Sequence, residues 1–233
     1  MKLIGFGCSF TYGSELLDPS ILWDRHHENT QYREKRVWLG QLAEKLNCNY
    51  LNLAEPACSN YAISHIFYNW LVTNDPQDCV VCVAWTSADR MSWWNDDEWV
   101  HDGFIRNEQE ARFKNTFKEW VTLSHSHCDI VTSQAKLFVN SVCEARQIPI
   151  IQFDALDNVN DKNNYPNYHQ RGLSMKQCLE DEQKRLNRPG PAADGKLIKK
   201  TFLADGNHPN EAGHAYYVKL LAGWIRGRKI LDV

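Results

Sequence analysis

Several absences narrow the possibilities before any motif is read. No apolar run approaches the roughly 20 residues needed to cross a bilayer. The first residues also lack the apolar core of a secretory leader. A cytoplasmic chain with no membrane partner is therefore expected. Basic excess is missing as well: 26 Lys and Arg stand against 29 Asp and Glu, a net charge of −3. Such a balance gives no general attraction to a phosphate backbone. Lys196, Lys199 and Lys200 form only a small cluster, so no nucleic-acid partner is expected. Eight cysteines are present, but without ligand spacing. Cys79 and Cys82 fall in an apolar run, where residues i and i+3 of a strand face opposite sides. His125, His127 and Cys128 lack a second suitably spaced pair. No metal and no cofactor is expected, and the thiols should be reduced and mostly buried. There is no internal repeat and no G-x-S-x-G elbow.

What is present suits one domain. At 233 residues, with 43% hydrophobic and 24% charged residues, the chain can bury a full core. Residues 1–4, apolar except for Lys2, are long enough for a short buried strand. Helical spacing follows at 37–46, a second strand at 50–54, and helical spacing again at 61–73. The continuous apolar run 79–85 predicts a strand buried on both faces. A helix with apolar Ile130, Val131, Leu137, Phe138 and Val142 is predicted over 129–146, and a fourth strand over 148–153. An amphipathic segment at 173–186 and a closing helix at 210–226 complete the pattern. Alternating elements of this kind predict an α/β three-layer sandwich with a mainly parallel sheet of four or five strands. Insertions are expected at 91–128 and 154–200, the second containing Tyr165 and His169, which read as surface residues, with substrate contact as the alternative.

The first candidate site is Gly5–Leu16, GFGCSFTYGSEL, directly after the opening strand. A small residue, Ser9 and then Gly13 suit a tight turn that lifts a hydroxyl above a sheet edge. A helix cap by Ser9 is the structural alternative. Almost two hundred residues later, Asp205-Gly206-Asn207-His208-Pro209 precedes the closing helix. A nucleophilic serine needs a base, and the base needs a carboxylate to hold its tautomer, so one loop could supply both.

Together, Gly7-Cys8-Ser9 with Gly13, and Asp205-x-x-His208-Pro209 with Gly213-His214, resemble the first and last blocks of the SGNH (GDSL-type) hydrolases. The likeness runs along the whole chain in order, in short islands, and implies a flavodoxin-like topology. It implies Ser9 as nucleophile, His208 as base and Asp205 as its partner. The second block is similar at Asn52, Pro56, Ser59 and Asn60, with Ala57 in place of the family's glycine. A backbone donor survives that change if φ is negative. Ser59 or Asn60 would also suit a helix cap. The third block departs further: Thr86 occupies the slot of the oxyanion-binding asparagine, in Ala84-Trp85-Thr86-Ser87. Its hydroxyl can still donate one hydrogen bond. The resemblance thus implies an oxyanion hole from Ser9, Ala57, Cys58 and Thr86.

Tyr12, Asn60, Trp85, Ser87, Trp94 and Trp99 are the expected substrate-binding residues. The 91–128 insertion carries Trp93, Trp94, Trp99 and Trp120 with Phe104, Phe113 and Phe117. Aromatic faces beside Asn95, Asp96 and Asp97 suit the C–H faces and hydroxyls of a sugar ring, with core packing as the structural alternative for Trp93, Trp94 and Trp99. Phe117 and Trp120 sit at helical spacing and read as core. The expected activity is a serine esterase acting on a small acyl ester, an O-acetyl group on a carbohydrate among the candidates. The partner is then a small-molecule or glycan ester. Two other readings stay open: an acyltransferase using the same acyl-enzyme, and a glycan- or nucleotide-binding module without turnover.

Overall fold

The computed structural model describes residues 1–18, 29–95, 98–102, 125–156, 165–169, 173–187, 201–204 and 206–231, with backbone alone at 93–95, 98–102 and 125–127. The elements, in order, are β1 (Lys2–Gly7), α1 (Ser9–Tyr12), α2 (Thr30–Arg36), α3 (Trp38–Lys45), β2 (Asn49–Asn52), α4 (Asn60–Thr73) and β3 (Cys79–Trp85). They continue with β4 (Met91–Asn95), β5 (Glu98–Asp102), α5 (His125–Ala145), β6 (Ile150–Asp154), α6 (Met175–Leu186) and α7 (Glu211–Arg228).

Four strands form a wholly parallel sheet in the order β2-β1-β3-β6. Moving from β1 out to β2 and back to β3 reverses the winding, and right-handed crossovers then place the helices on opposite faces. Accordingly α3 packs on α7 at one face, while α4 packs on α5 at the other. Residue Tyr168 extends the sheet beyond β6 through a parallel bridge to Gln152. This single bridge is the fifth position that the sequence left open. Both β1 and β3 are almost wholly buried, β3 as the continuous run 79–85 predicted. All eight cysteines are free. Among the described residues no helix is long and apolar enough to cross a membrane.

Two expectations need correction. Of the apolar residues expected in α5, Ile130, Leu137 and Phe138 are exposed; its buried face combines Ala135, Val139 and Cys143 with polar Thr132, Lys136 and Asn140, four residues apart. Each inward polar group finds a partner, Thr132 on Asn60 of α4 and the other two at the sheet. Lys136 Nζ reaches Asp154 Oδ1 at 3.0 Å and donates to Tyr168 Oη at 2.8 Å, and Asn140 and Gln152 exchange amide hydrogen bonds. Buried polar groups persist only when satisfied in this way.

His169 is the second correction. It is buried, 3.1 Å from Tyr217 Oη and packed against Tyr217 and Trp224, and is not a surface residue. Burial lowers its pKa to about 4. His214 in α7 accepts the Trp38 N–H, and burial, with the nearby His208 charge, lowers its pKa to about 3. In the unfolded chain both histidines take up a proton near pH 6.5, while in the fold they resist it until about pH 4 and pH 3. Their contribution is therefore complete above pH 6.5 and lost as the pH falls below it, at about 1.4 kcal/mol per pH unit for each group. Urea unfolding followed from pH 7.5 to 4.5 should show this slope, and His169→Phe should remove one group's share of it. An unchanged slope in that variant would contradict the assignment.

Candidate active site

The carboxyl ends of β1 and β3 meet where the sheet order reverses, the usual place for ligands in open α/β sheets. Gly7 pairs with Ala84 in register, so Ser9 and Thr86 each lie two residues beyond a matched pair. Gly7 is required there, because a Cβ would overlap Thr11 Oγ1 and crowd the Ala84 carbonyl. Its absence lets α1 fold back onto the strand end. Ser9 is the first residue of α1; the N-cap is Cys8, which makes no side-chain cap bond. The capping alternative for Ser9 is thereby removed. Ser9 is 4% exposed and Thr86 0%, and both hydroxyls lack a hydrogen-bond partner among the described residues.

Other expected residues serve to hold this strand end. Asn60, expected at substrate, lines a pocket and also clamps Thr86: its Oδ1 accepts the Thr86 N–H at 2.8 Å and its Nδ2 donates to the Thr86 carbonyl at 2.9 Å and to Thr132 Oγ1 at 3.2 Å. Trp85 is likewise core rather than substrate contact, fully buried with its indole N–H on Gln152 Oε1. Ser87 donates to Asp89 Oδ1 and closes a local turn. Tyr12 is half-buried, with the Arg33 guanidinium 3.7 Å from its ring centre. Asn52 Nδ2 donates to the Thr11 carbonyl at 2.8 Å, tying α1 to the end of β2. Trp94 and Trp99 are register partners in the β4–β5 hairpin; their side chains lie outside the described residues, as do Asp96, Asp97, Phe104, Phe113, Phe117 and Trp120.

At the second block, Ala57 has φ +61°, not the negative value expected. The backbone keeps the left-handed shape that glycine adopts freely, and alanine bears a strain of about 1 kcal/mol or more to hold it. The Cys58 N–H turns back toward the Glu55 carbonyl at 3.4 Å. Ser59 is the helix cap, its hydroxyl accepting the Ala62 N–H, while its own N–H donates to Ser92 Oγ in β4. A pocket of about 240 Å³ opens here, lined by Ser59, Asn60, Arg90, Met91, Ser92 and Thr132 among others.

His208 stands in a tight loop, where the Ala204 N–H donates to the His208 carbonyl and Leu203 bridges Pro209. Asn210 then caps α7 by accepting the Gly213 N–H. The His208 ring lies 5.6 Å, centre to centre, from Phe10, the residue after Ser9. Asp205 lies outside the described residues. Among the described residues, Glu15 is a carboxylate that meets His208, with Oε2 2.8 Å from Nδ1. Burial tends to raise the Glu15 pKa, but hydrogen bonds from the His208 ring and from the His208 and Gly206 backbone prevail and hold it below the ordinary carboxylate value. Sequence reading passed over Glu15, although it stands inside the first motif, three residues after the end of α1. Among the described residues no three His, Cys, Asp or Glu side chains gather as metal ligands.

The parallel α/β sheet thus presents a buried serine at the end of β1 and, in the loop before α7, a histidine paired with a carboxylate. No known family pattern and no curated protein sequence matches the chain. Solved structures similar to it include a protein assigned to the lipolytic G-D-S-L family from Desulfitobacterium hafniense, 11% identical over 99% of each chain with a TM-score of 0.45. A member of the same lipolytic family from Veillonella parvula is 16% identical over 97% of each chain, with a TM-score of 0.38. A family two carbohydrate esterase from Clostridium thermocellum, solved with cellohexaose, is 13% identical; the match covers 99% of this chain and 65% of that one, with a TM-score of 0.46. At this level the likeness assigns no residue a role.

Proposed function

We propose that the chain hydrolyses small acyl esters, with Ser9 as nucleophile and His208 as general base. The observation that carries this reading is the pair of orphan hydroxyls, Ser9 Oγ and Thr86 Oγ1, at the matched ends of β1 and β3. A buried hydroxyl without a partner costs about 1–3 kcal/mol, a penalty that a reacting ester would relieve. Ser9 Oγ gives its proton to His208 Nε2 as the Oγ–acyl carbon bond forms, and the carbonyl π pair moves onto oxygen. Collapse of that oxyanion expels the alcohol, which takes the proton back from Nε2. Water then repeats the sequence on the acyl-enzyme and restores Ser9. Both hydroxyls lie beneath the surface, so substrate entry requires the groups over the strand ends to part.

Thr86 Oγ1 and the N–H groups of Ser9 and Ala57 are the proposed oxyanion donors. Asn60 fixes Thr86 through its backbone, which keeps the hydroxyl preorganised. Thr86→Val is isosteric and should lower kcat about 10²-fold with little change in KM, because that bond strengthens mainly in the transition state. An unchanged kcat would remove Thr86 from the mechanism. The substrate class we propose is an acetyl ester of a carbohydrate, selected by the β4–β5 hairpin that carries Trp94 and Trp99. A screen of aryl esters of increasing acyl length, beside acetylated sugars, tests both levels at once. Turnover of acetyl esters that disappears in Ser9→Ala supports the reading. Absence of turnover on every ester would overturn it.

A further inference from the structure

Glu15 does more than touch His208. Its Oε1 accepts the Gly206 N–H at 2.8 Å, and its Oε2 accepts the His208 N–H at 3.2 Å and stands 2.8 Å from His208 Nδ1. One carboxylate thus gathers three donors from a loop some 190 residues away in sequence. Gly206 makes room for it, since a Cβ at that position would overlap the Glu15 carboxylate. Glu15 itself has φ +66°, in the left-handed region that a non-glycine residue occupies only when its surroundings hold it there. Three residues after α1, this conformation sends the side chain across to the histidine loop.

We infer that Glu15, carried on the same turn as Ser9, is the positioning carboxylate of His208. This rests on the reading of Ser9 and His208 above, and replaces Asp205 in the role that the sequence resemblance implied. A carboxylate on Nδ1 fixes the proton there and leaves the Nε2 lone pair to act as base. Glu15 also stabilises the imidazolium that forms when Ser9 loses its proton, and does not itself become protonated. The arrangement makes the site a closed unit: nucleophile and orienting carboxylate lie six positions apart on one turn, and the base is clamped to that turn from the far end of the chain. The clamp also fixes the distance between the two ends, because Gly206 and His208 are held through backbone as well as ring.

The test uses the full chain and two readouts. In protein labelled with ¹⁵N-histidine, a strongly deshielded ring Nδ1 proton should be present in the wild type and in Asp205→Asn. It should be absent in His208→Ala and Glu15→Gln. On an aryl acetate, Glu15→Gln should lower kcat by about 10²–10⁴-fold with KM within a few-fold, and Asp205→Asn should cost less. Gly206→Ala keeps every charge but displaces the carboxylate, so it should reproduce the loss if Glu15→Gln folds poorly. Glu15→Asp, one methylene shorter, should recover part of the activity. Persistence of the deshielded proton in Glu15→Gln, or its loss in Asp205→Asn, would overturn the inference. The spectroscopic result stands apart from catalysis: a wild type that shows the proton but turns over no ester would sink the proposed function and leave the clamp intact.

Discussion

Ser9→Ala is expected to abolish ester turnover while leaving the fold as stable as before, or slightly more so. The two halves of that result have one cause. Ser9 Oγ is buried and has no hydrogen-bond partner among the described residues, so its removal breaks no bond and relieves a desolvated hydroxyl. The same atom is the proposed nucleophile, and loss of a nucleophile in a triad-type site lowers kcat on the order of 10⁶-fold. His208→Ala should be nearly as damaging, and the double variant no worse than either single one, because the groups act as a unit. Thermal melting and steady-state kinetics on an aryl acetate, run on the same preparations, check both halves. A Ser9→Ala protein that melts several degrees lower and keeps its activity would reverse the interpretation: Ser9 would then be a core residue with a structural bond.

The second large effect is on stability. Lys136 and Asp154 form an ion pair 3.0 Å apart, with side chains 1% and 3% exposed, and Tyr168 Oη bonds both members. Removing one partner of such a pair leaves an uncompensated buried charge, which costs about 3–5 kcal/mol. Lys136→Met should therefore lower the melting temperature by roughly 10 °C in a chain of this size. The double variant Lys136→Met with Asp154→Leu removes both charges and should recover most of that loss. Additive losses in the double variant would mean that the pair is not coupled. The network matters to the site as well: Asp154 is the register partner of Trp85, and Lys136 Nζ lies 5.9 Å from the Trp85 ring centre. It braces the strand end from which Thr86 departs.

The sheet was legible because its strands are short and, except for β2, mostly apolar and buried. Residues 79–85 are the clearest instance: the run is continuous, and the strand is buried along its whole length. Helix α5 was misread at its faces for the opposite reason. Beside apolar Ala135, Val139 and Cys143, its inward groups include polar Thr132, Lys136 and Asn140, and only the partners on β6 and α4 explain why those are inside. Periodicity detects apolar stripes and is blind to a satisfied polar one. Ser9 and His208 could be proposed from sequence because each sits in a local motif with its own turn chemistry. Glu15 could not, since what marks it is a left-handed φ and three contacts to residues at the other end of the chain. Asn60 and Trp85 were given to substrate because they flank the strand ends, yet flanking residues at such ends also have to hold them. No spacing rule separates the two roles.

The central claim is that Ser9 is a nucleophile activated by His208, and covalent labelling tests it most directly. The native protein is treated with a small fluorophosphonate and read by intact mass and peptide mapping. The account predicts a single adduct on Ser9, no adduct in Ser9→Ala, and labelling slowed by orders of magnitude in His208→Ala. A wild type that stays unlabelled, or an adduct that forms equally well in Ser9→Ala, would contradict it.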